Sequence, residues 1–258
     1  FGNFMGMTAL SVVIITFNEE RNIARCINSV KDIADEIVVV DSYSTDNTKN
    51  ICKSFGVRFY EHVFEGHKEQ KNWAIQLAAN PFVLSLDADE CLRRELLESI
   101  KELKVKGFEK PGYYMNRLTN YCGQWVRHSG WYPDRKLRLW DRSMGSWKGL
   151  NPHDEFIMNQ SAGKPGFIVG DILHYSYYTK EDHYKQLRYF SDLSAKSYFD
   201  AGKKTRFWNL ILNPVACFIS HYIIHLGFLD GVSGWQIARL SAYATYLKYQ
   251  KLKHLARD

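Results

Sequence analysis

No two of the five cysteines, Cys26, Cys52, Cys91, Cys122 and Cys217, stand in a Cys-x-x-Cys pair, and their number is odd. That excludes a zinc ribbon or a disulfide framework and favours reduced thiols in a cytoplasmic setting. No internal repeat or low-complexity segment occurs, so a solenoid is excluded too. No secretory leader is expected ahead of Met7, and residues 1–6, FGNFMG, are set aside from fold reasoning. Acidic residues are nearly missing from the C-terminal fifth. From Lys203 onward, eight basic residues face only Asp230 and Asp258, whereas residues 1–202 balance at 26 of each sign. The net charge of +6 therefore belongs to that end, where it follows an aromatic, hydrophobic helical pattern rather than a phosphate-spaced groove. Nucleic-acid binding is not expected.

What is present reads as a folded α/β chain. At 258 residues, 45% hydrophobic and 24% charged, it can bury a full core. LSVVIITF (10–17), EIVVVD (36–41), VRFYEH (57–62) and FVLSLD (82–87) are strand-like runs, continuous and β-branched where both faces are covered. Between them lie helical segments, the first with Ile23, Cys26, Ile27 and Val30 on one stripe. ECLRRELLESIKELKV after the fourth strand reads as a charged helix, with acids early and lysines late. The alternation predicts a parallel sheet with helices on both faces, and ligands outside the strand carboxyl ends. Asn18, Asp41 and Asp87 stand at such ends.

Residues 112–175 are strand-like and rich in Gly, Trp and Tyr, predicting further strands and long loops. From Thr179 the pattern is helical. FWNLILNPVACFISHYIIHLGFL (207–229) is long enough for a bilayer span, yet carries Asn209, Asn213, Pro214, His221 and His225. The favoured reading is helices at the membrane interface, with Lys203, Lys204 and Arg206 at the headgroups. A core helix and a true span are the alternatives. The expected organisation is an α/β domain over 7–178, divided after residue 90. A helical, membrane-associated region follows over 179–258.

LSLDADE (84–90) poses the functional question, because three carboxylates in four positions resist ionising together unless something positive joins them. Four segments in order, VVIITFNEE, VVVDSYSTDNT, GHKEQKNWA and LDADE, resemble family 2 of the nucleotide-sugar glycosyltransferases, which have the GT-A fold. GWYPDRKLRLWDR, NPHDEF and GFLDGVSGW resemble its lipopolysaccharide core subgroup. The resemblance implies an inverting hexosyltransferase using a UDP-sugar, glucose or a close relative, and a membrane glycolipid acceptor. It further implies a catalytic domain over 7–178 with a nucleotide-sugar half, 7–90, and an acceptor half, 91–178; the basic, aromatic C-terminus would hold the chain peripherally at the inner face of the cell membrane, where both substrates meet.

By that resemblance Asp87 and Asp89, around the small Ala88, form a DxD motif for Mn²⁺ or Mg²⁺. Asp89 is then the direct ligand and Asp87 lies nearer the ribose. Hard oxygen donors suit either ion. A solvated acidic helix start is the plain alternative, and fits Glu90 best. Asp41 is expected to accept the imide N–H of uracil, with an Asx turn as alternative. Thr16, Phe17, Asn18 and Glu19 would cradle the base, Phe17 by stacking, while Glu19 could equally complement a helix N-terminus. Lys71 stands where relatives carry arginine and is a nucleotide or phosphate contact, or else a surface lysine.

Inversion requires a carboxylate base opposite the leaving group. HDEF supplies Asp154 and Glu155, with Asp154 favoured and the choice open. His153 contacts the diphosphate, orients that carboxylate or is an ordinary loop histidine. Trp131, Arg135 and Arg138 are candidates for sugar stacking and phosphate or acceptor binding. Arg138 has the alternative of an outward strand position. Two other functions fit the pattern: transfer to a polyprenyl phosphate, which needs no base, and a non-catalytic nucleotide-binding module on a membrane surface.

Overall fold

The computed structural model describes residues 8–149 and 154–256. The chain forms two compact units: residues up to Arg117 with Asp134–His174, and Leu118–Pro133 with Tyr175 onward. A sixteen-residue insertion, 118–133, groups with the C-terminal helices in the second unit.

The first unit opens with β1 (Leu10–Thr16), α1 (Ile23–Val30), β2 (Glu36–Asp41), α2 (Thr48–Ser54) and β3 (Arg58–Glu61). α3 (His67–Leu77), β4 (Phe82–Asp87), β5 (Glu90–Leu92) and α4 (Arg94–Lys106) follow. β6 (Gly112–Tyr121) starts in this unit and ends in the second, which also holds β7 (Gln124–Trp125). β8 (Asp134–Asp141), the hairpin β9 (Gly145–Lys148) and β10 (Glu155–Met158), and β11 (Gly166–Tyr177) come next. The main sheet runs β3-β2-β1-β4-β8-β6-β11-β5. β1 to β4 pair in parallel, whereas β8 joins β4 and β6 antiparallel and β5 joins β11 antiparallel.

Strand alternation explains why helices cover both faces. On β1, Leu10, Val12 and Ile14 enter one core with α1 and α4, while Val13 enters a second core with Ala74 and Ile75 of α3. On β2, Val39 joins the first core and Val38 and Val40 the second. A strand with two buried faces has no polar side, hence its continuous apolar sequence. This is the α/β, Rossmann-like arrangement expected of a GT-A fold.

The first helix begins at Ile23, and Asn18, with a left-handed φ of 54°, stands in the turn ahead of it. One local expectation is corrected. Residues 90–92 are a strand instead of a helix start, since Glu90, Cys91 and Leu92 are all buried against β11. Tertiary burial overrides helix propensity there.

The second unit contains α5 (Lys180–Asp200), α6 (Leu212–Ile219) and α7 (Gly231–Leu255). Thr179 and Asp182 form a reciprocal capping box that starts α5. Tyr121, Val126 and Ile237 form its small core, with Trp131 and Tyr177 packed alongside. The first turn of α7 needs glycine at 234, where a Cβ would lie 1.7 Å from the Gly227 carbonyl oxygen. Asp230 fastens the same turn by accepting the backbone N–H groups of Arg127 and His128 at 3.1 and 2.9 Å.

Candidate active site

Three strands end side by side. Register pairs Thr16 of β1 with Asp41 of β2, and Ile15 of β1 with Asp87 of β4. The chain adds β2 and β3 on one side of β1 and then crosses to place β4 on the other, so a switch point opens at these ends. The loops after β1 and β2 are laced together. Asn18 donates its backbone N–H to the Ser44 hydroxyl at 2.7 Å and accepts the Thr45 N–H at 2.8 Å. Glu19 donates its N–H to the Thr48 hydroxyl at 2.8 Å.

Asp41 is fully buried and accepts both the N–H and the hydroxyl of Ser44, the local turn weighed as its alternative role. The Thr16 hydroxyl is buried without a hydrogen-bond partner among the described residues. Phe17 is exposed just past β1, and Tyr43, exposed with a φ of 62°, follows β2. The sequence around Tyr43 reads only as a turn. Burial pushes the Glu19 carboxyl up to about 7, with the charges of Asp89 and Asp46 adding and a hydrogen bond from Asn22 opposing. Glu19 stands ahead of α1.

The acidic tip is neutralised piece by piece. Asp87 lies 3.5 Å from the Lys71 ammonium and 3.1 Å from the Arg138 guanidinium. Burial opposes its ionisation, but Lys71 and Arg138 outweigh that and hold its carboxyl well below the usual carboxylate range. Glu90 is the correction here: far from a solvated helix start, it is 1% exposed. It accepts Arg138 at 2.7 Å, Arg117 at 3.4 Å and the Asp87 backbone N–H at 3.0 Å. Arg117 and Arg138 are shifted upward in turn, their carboxylate partners overcoming burial. Ala88 is buried, its N–H donated to the Ile15 carbonyl at 3.1 Å, so the small residue lets the tip fold back on β1.

Asp89 points elsewhere. Its carboxylate lies 3.1 Å from His174 Nε2, and burial is outweighed by His174, which lowers its pKa. β11 delivers His174 through the antiparallel pairing of His174 with Glu90. That contact spans 85 residues, and no motif announced it. Among the described residues no three His, Cys, Asp or Glu groups gather closely enough to hold a metal. Asp89 and His174 nevertheless form a hard oxygen and imidazole pair, and the other ring nitrogen of His174 is buried without a hydrogen-bond partner among the described residues. Mg²⁺-type sites commonly take one or two protein donors and complete their shell with phosphate and water. The residues fit such an ion.

Gln70, Lys71 and Asn72 of α3 each perform a separate task. Gln70 bonds the His62 ring at 2.8 Å and the Ser42 hydroxyl at 3.1 Å. Asn72 clamps Trp147 of β9 through both its backbone groups, at 2.9 and 3.0 Å. Lys71 is buried, stands 4.3 Å over the Trp147 ring, and bonds Asp154 at 3.2 Å as well as Asp87. One ammonium therefore links the DxD tip to the first carboxylate of HDEF. Glu155, next along, is exposed on β10 opposite Lys148. His153 lies outside the described residues.

The aromatic and basic candidates separate. Arg138 is buried and committed to Asp87, Glu90 and the Ser85 carbonyl, not outward on its strand. Arg135 is exposed, its guanidinium 5.4 Å over the Phe167 ring. Trp131 belongs to the second unit, in an aromatic cluster with Tyr121, Tyr177 and His183.

Residues 11–159 match the family described as Glycosyl transferase family 2. An uncharacterized glycosyltransferase of Rickettsia prowazekii is 31% identical over 97% of this chain and 88% of its own length. The lipopolysaccharide core biosynthesis glycosyltransferase LpsC of Rhizobium meliloti is 29% identical over 94% of this chain and 91% of its own. Among solved structures, S. aureus TarS 1–349 aligns with 97% of this chain and 91% of its own, at 15% identity and a TM-score of 0.46.

Two outcomes are expected from the electrostatics. Glu90→Ala strips two guanidinium groups of a buried partner and should cost about 3–5 kcal/mol in urea unfolding, with Glu90→Gln in between. A loss below about 0.5 kcal/mol would match a solvated residue instead. For Glu19 the folded pKa exceeds the unfolded value of about 4.3. The folded state thus holds the extra proton, and that stability is complete below the unfolded pKa and lost as pH rises through about 7. Glu19→Gln should therefore gain thermal stability relative to the parent at pH 8 and little at pH 4. An equal gain at both would refute the burial assignment.

Proposed function

The chain belongs to glycosyl transferase family 2, and on that premise we propose that it moves a hexose from a UDP-sugar to a membrane glycolipid, inverting the anomeric centre. The observation that carries this reading is Lys71, whose ammonium pairs with both Asp87 and Asp154 and so joins donor-side and acceptor-side carboxylates in one site. The relative LpsC, named for lipopolysaccharide core biosynthesis, supports a glycolipid acceptor at the cytoplasmic face of a membrane.

In this reading the crevice at β1 and β2 takes the nucleotide. Phe17 offers an exposed ring for the base, and each Asp41 oxygen retains a lone pair beyond its Ser44 bond for an imide N–H. Asp89 and His174 would hold Mn²⁺ or Mg²⁺, which supplies Lewis-acid stabilisation of the departing diphosphate. Asp154 takes the proton of the acceptor hydroxyl as that oxygen bonds to the anomeric carbon. The bond from that carbon to the diphosphate oxygen breaks, and UDP leaves. Lys71 orients Asp154 and keeps Asp87 ionised without spending Asp89. Of the two HDEF carboxylates, the Lys71 contact favours Asp154 as the base.

The test is release of nucleoside diphosphate from UDP-, GDP- and dTDP-sugars in the presence of a lipid extract, with and without Mn²⁺. UDP-hexose should turn over with metal and not after chelation. Asp154→Asn should lower turnover by about 10²–10⁴-fold, and Glu155→Gln by a small factor only. No turnover of any donor, or loss on Glu155→Gln with Asp154→Asn active, contradicts this reading.

A further inference from the structure

Residues Phe207–Ile224 are apolar, with mean hydropathy 1.4, yet none of these eighteen residues is buried. A core helix would hide such a stretch. Here the segment is broken into a 3₁₀ turn (Phe207–Leu210), α6 and a π turn (Ser220–Ile224). Trp208, Leu212, Val215, Ile219 and Ile223 are all exposed. Their spacing of three to four residues makes one stripe. The apolar surface continues through Leu229 and Val232 to Trp235, whose ring packs edge-on against Phe218 and Tyr222 at 5.2 and 5.4 Å.

The charge beside this surface has one sign. Lys203, Lys204 and Arg206 are exposed immediately before it, and no carboxylate occurs between residues 201 and 229. Asp230, the first acid, is buried in its bonds to Arg127 and His128. Both ends of the segment are tied into polar parts of the same unit. At one end Thr205 donates to the Tyr249 carbonyl at 3.1 Å, and the Lys203 ammonium lies 4.1 Å over the Tyr198 ring. At the other, the His225 carbonyl accepts the Ser129 N–H at 2.9 Å, near the exposed Arg127.

By length and composition alone the segment could cross a bilayer, but it is not one continuous α-helix, being interrupted by the 3₁₀ and π turns, and both its ends are tied to polar groups of the same unit. A span would also drag the 118–133 insertion, with Arg127, across the bilayer. We propose that this face is a monotopic docking surface for an anionic bilayer. The stripe lies in the membrane plane at the acyl boundary, and Lys203, Lys204 and Arg206 engage lipid phosphates.

Flotation of the full chain with vesicles of phosphatidylcholine alone, or of phosphatidylcholine with added anionic phosphatidylglycerol, tests this without donor or acceptor. Its failure would leave the active-site reading standing. Binding is expected on the anionic vesicles and should be released by alkaline carbonate. Replacing Lys203, Lys204 and Arg206 by Ala should weaken it about a hundredfold, at about one kcal/mol per charge. Leu212→Glu with Ile219→Glu, both at exposed positions, should abolish it while the thermal melt is retained. Equal binding to neutral vesicles with carbonate resistance would establish a span and overturn the proposal. So would absence of vesicle binding together with a dimer that dissociates in the Leu212→Glu/Ile219→Glu variant, because the face would then seat a second copy.

Discussion

The first unit depends on neutralising a set of carboxylates at the end of one strand. Asp87, Asp89 and Glu90 lie within four residues, and Asp154 joins them from the β9–β10 hairpin. Left alone, several of these groups would stay protonated and could serve neither ion nor base. The fold answers with cations from three elements: Lys71 from α3, Arg117 from β6 and Arg138 from β8. Because these cations take up Asp87 and Glu90, Asp89 is left to His174 and to whatever enters the crevice. Asp87 and Asp89 retain 26% and 23% side-chain exposure, so the tip is held from behind and open in front.

This arrangement gives the hairpin and the insertion different meanings. The hairpin is short, yet Asn72 and Lys71 fix it to α3, and Trp140 stacks on Phe156 at 3.9 Å beneath it. Asp154 is thus positioned by the same helix that serves the DxD tip. The second unit spends its apolar residues differently, with a small aromatic core and a broad exposed face. The proposed transfer to a lipid-borne acceptor has a use for both, a rigid charged cleft and a greasy, basic surface.

Much of this was legible in sequence because the informative residues follow buried strands. Asp41 and Asp87 could be placed by reading where continuous apolar runs stop, and the stripe Ile23, Cys26, Ile27 and Val30 is buried as a helix face. Glu90 was misread for a physical reason. An acid before ELLESIKELK looks like a charged helix start, and only the partners Arg117 and Arg138 make its burial tolerable. His174 and the grip of Lys71 on Asp154 were hidden because strand register and hairpin placement, 85 and 83 residues along the chain respectively, bring them together. Long-range pairing leaves no periodic trace in a single chain.

The division of labour between the two DxD aspartates is the central claim, and anomalous scattering from crystals grown with UDP and Mn²⁺ addresses it most directly. The ion should appear on Asp89 and His174, with Asp87 still paired to Lys71 and Arg138. An ion that draws Asp87 away from both cations, or that binds with His174 turned aside, would contradict the account.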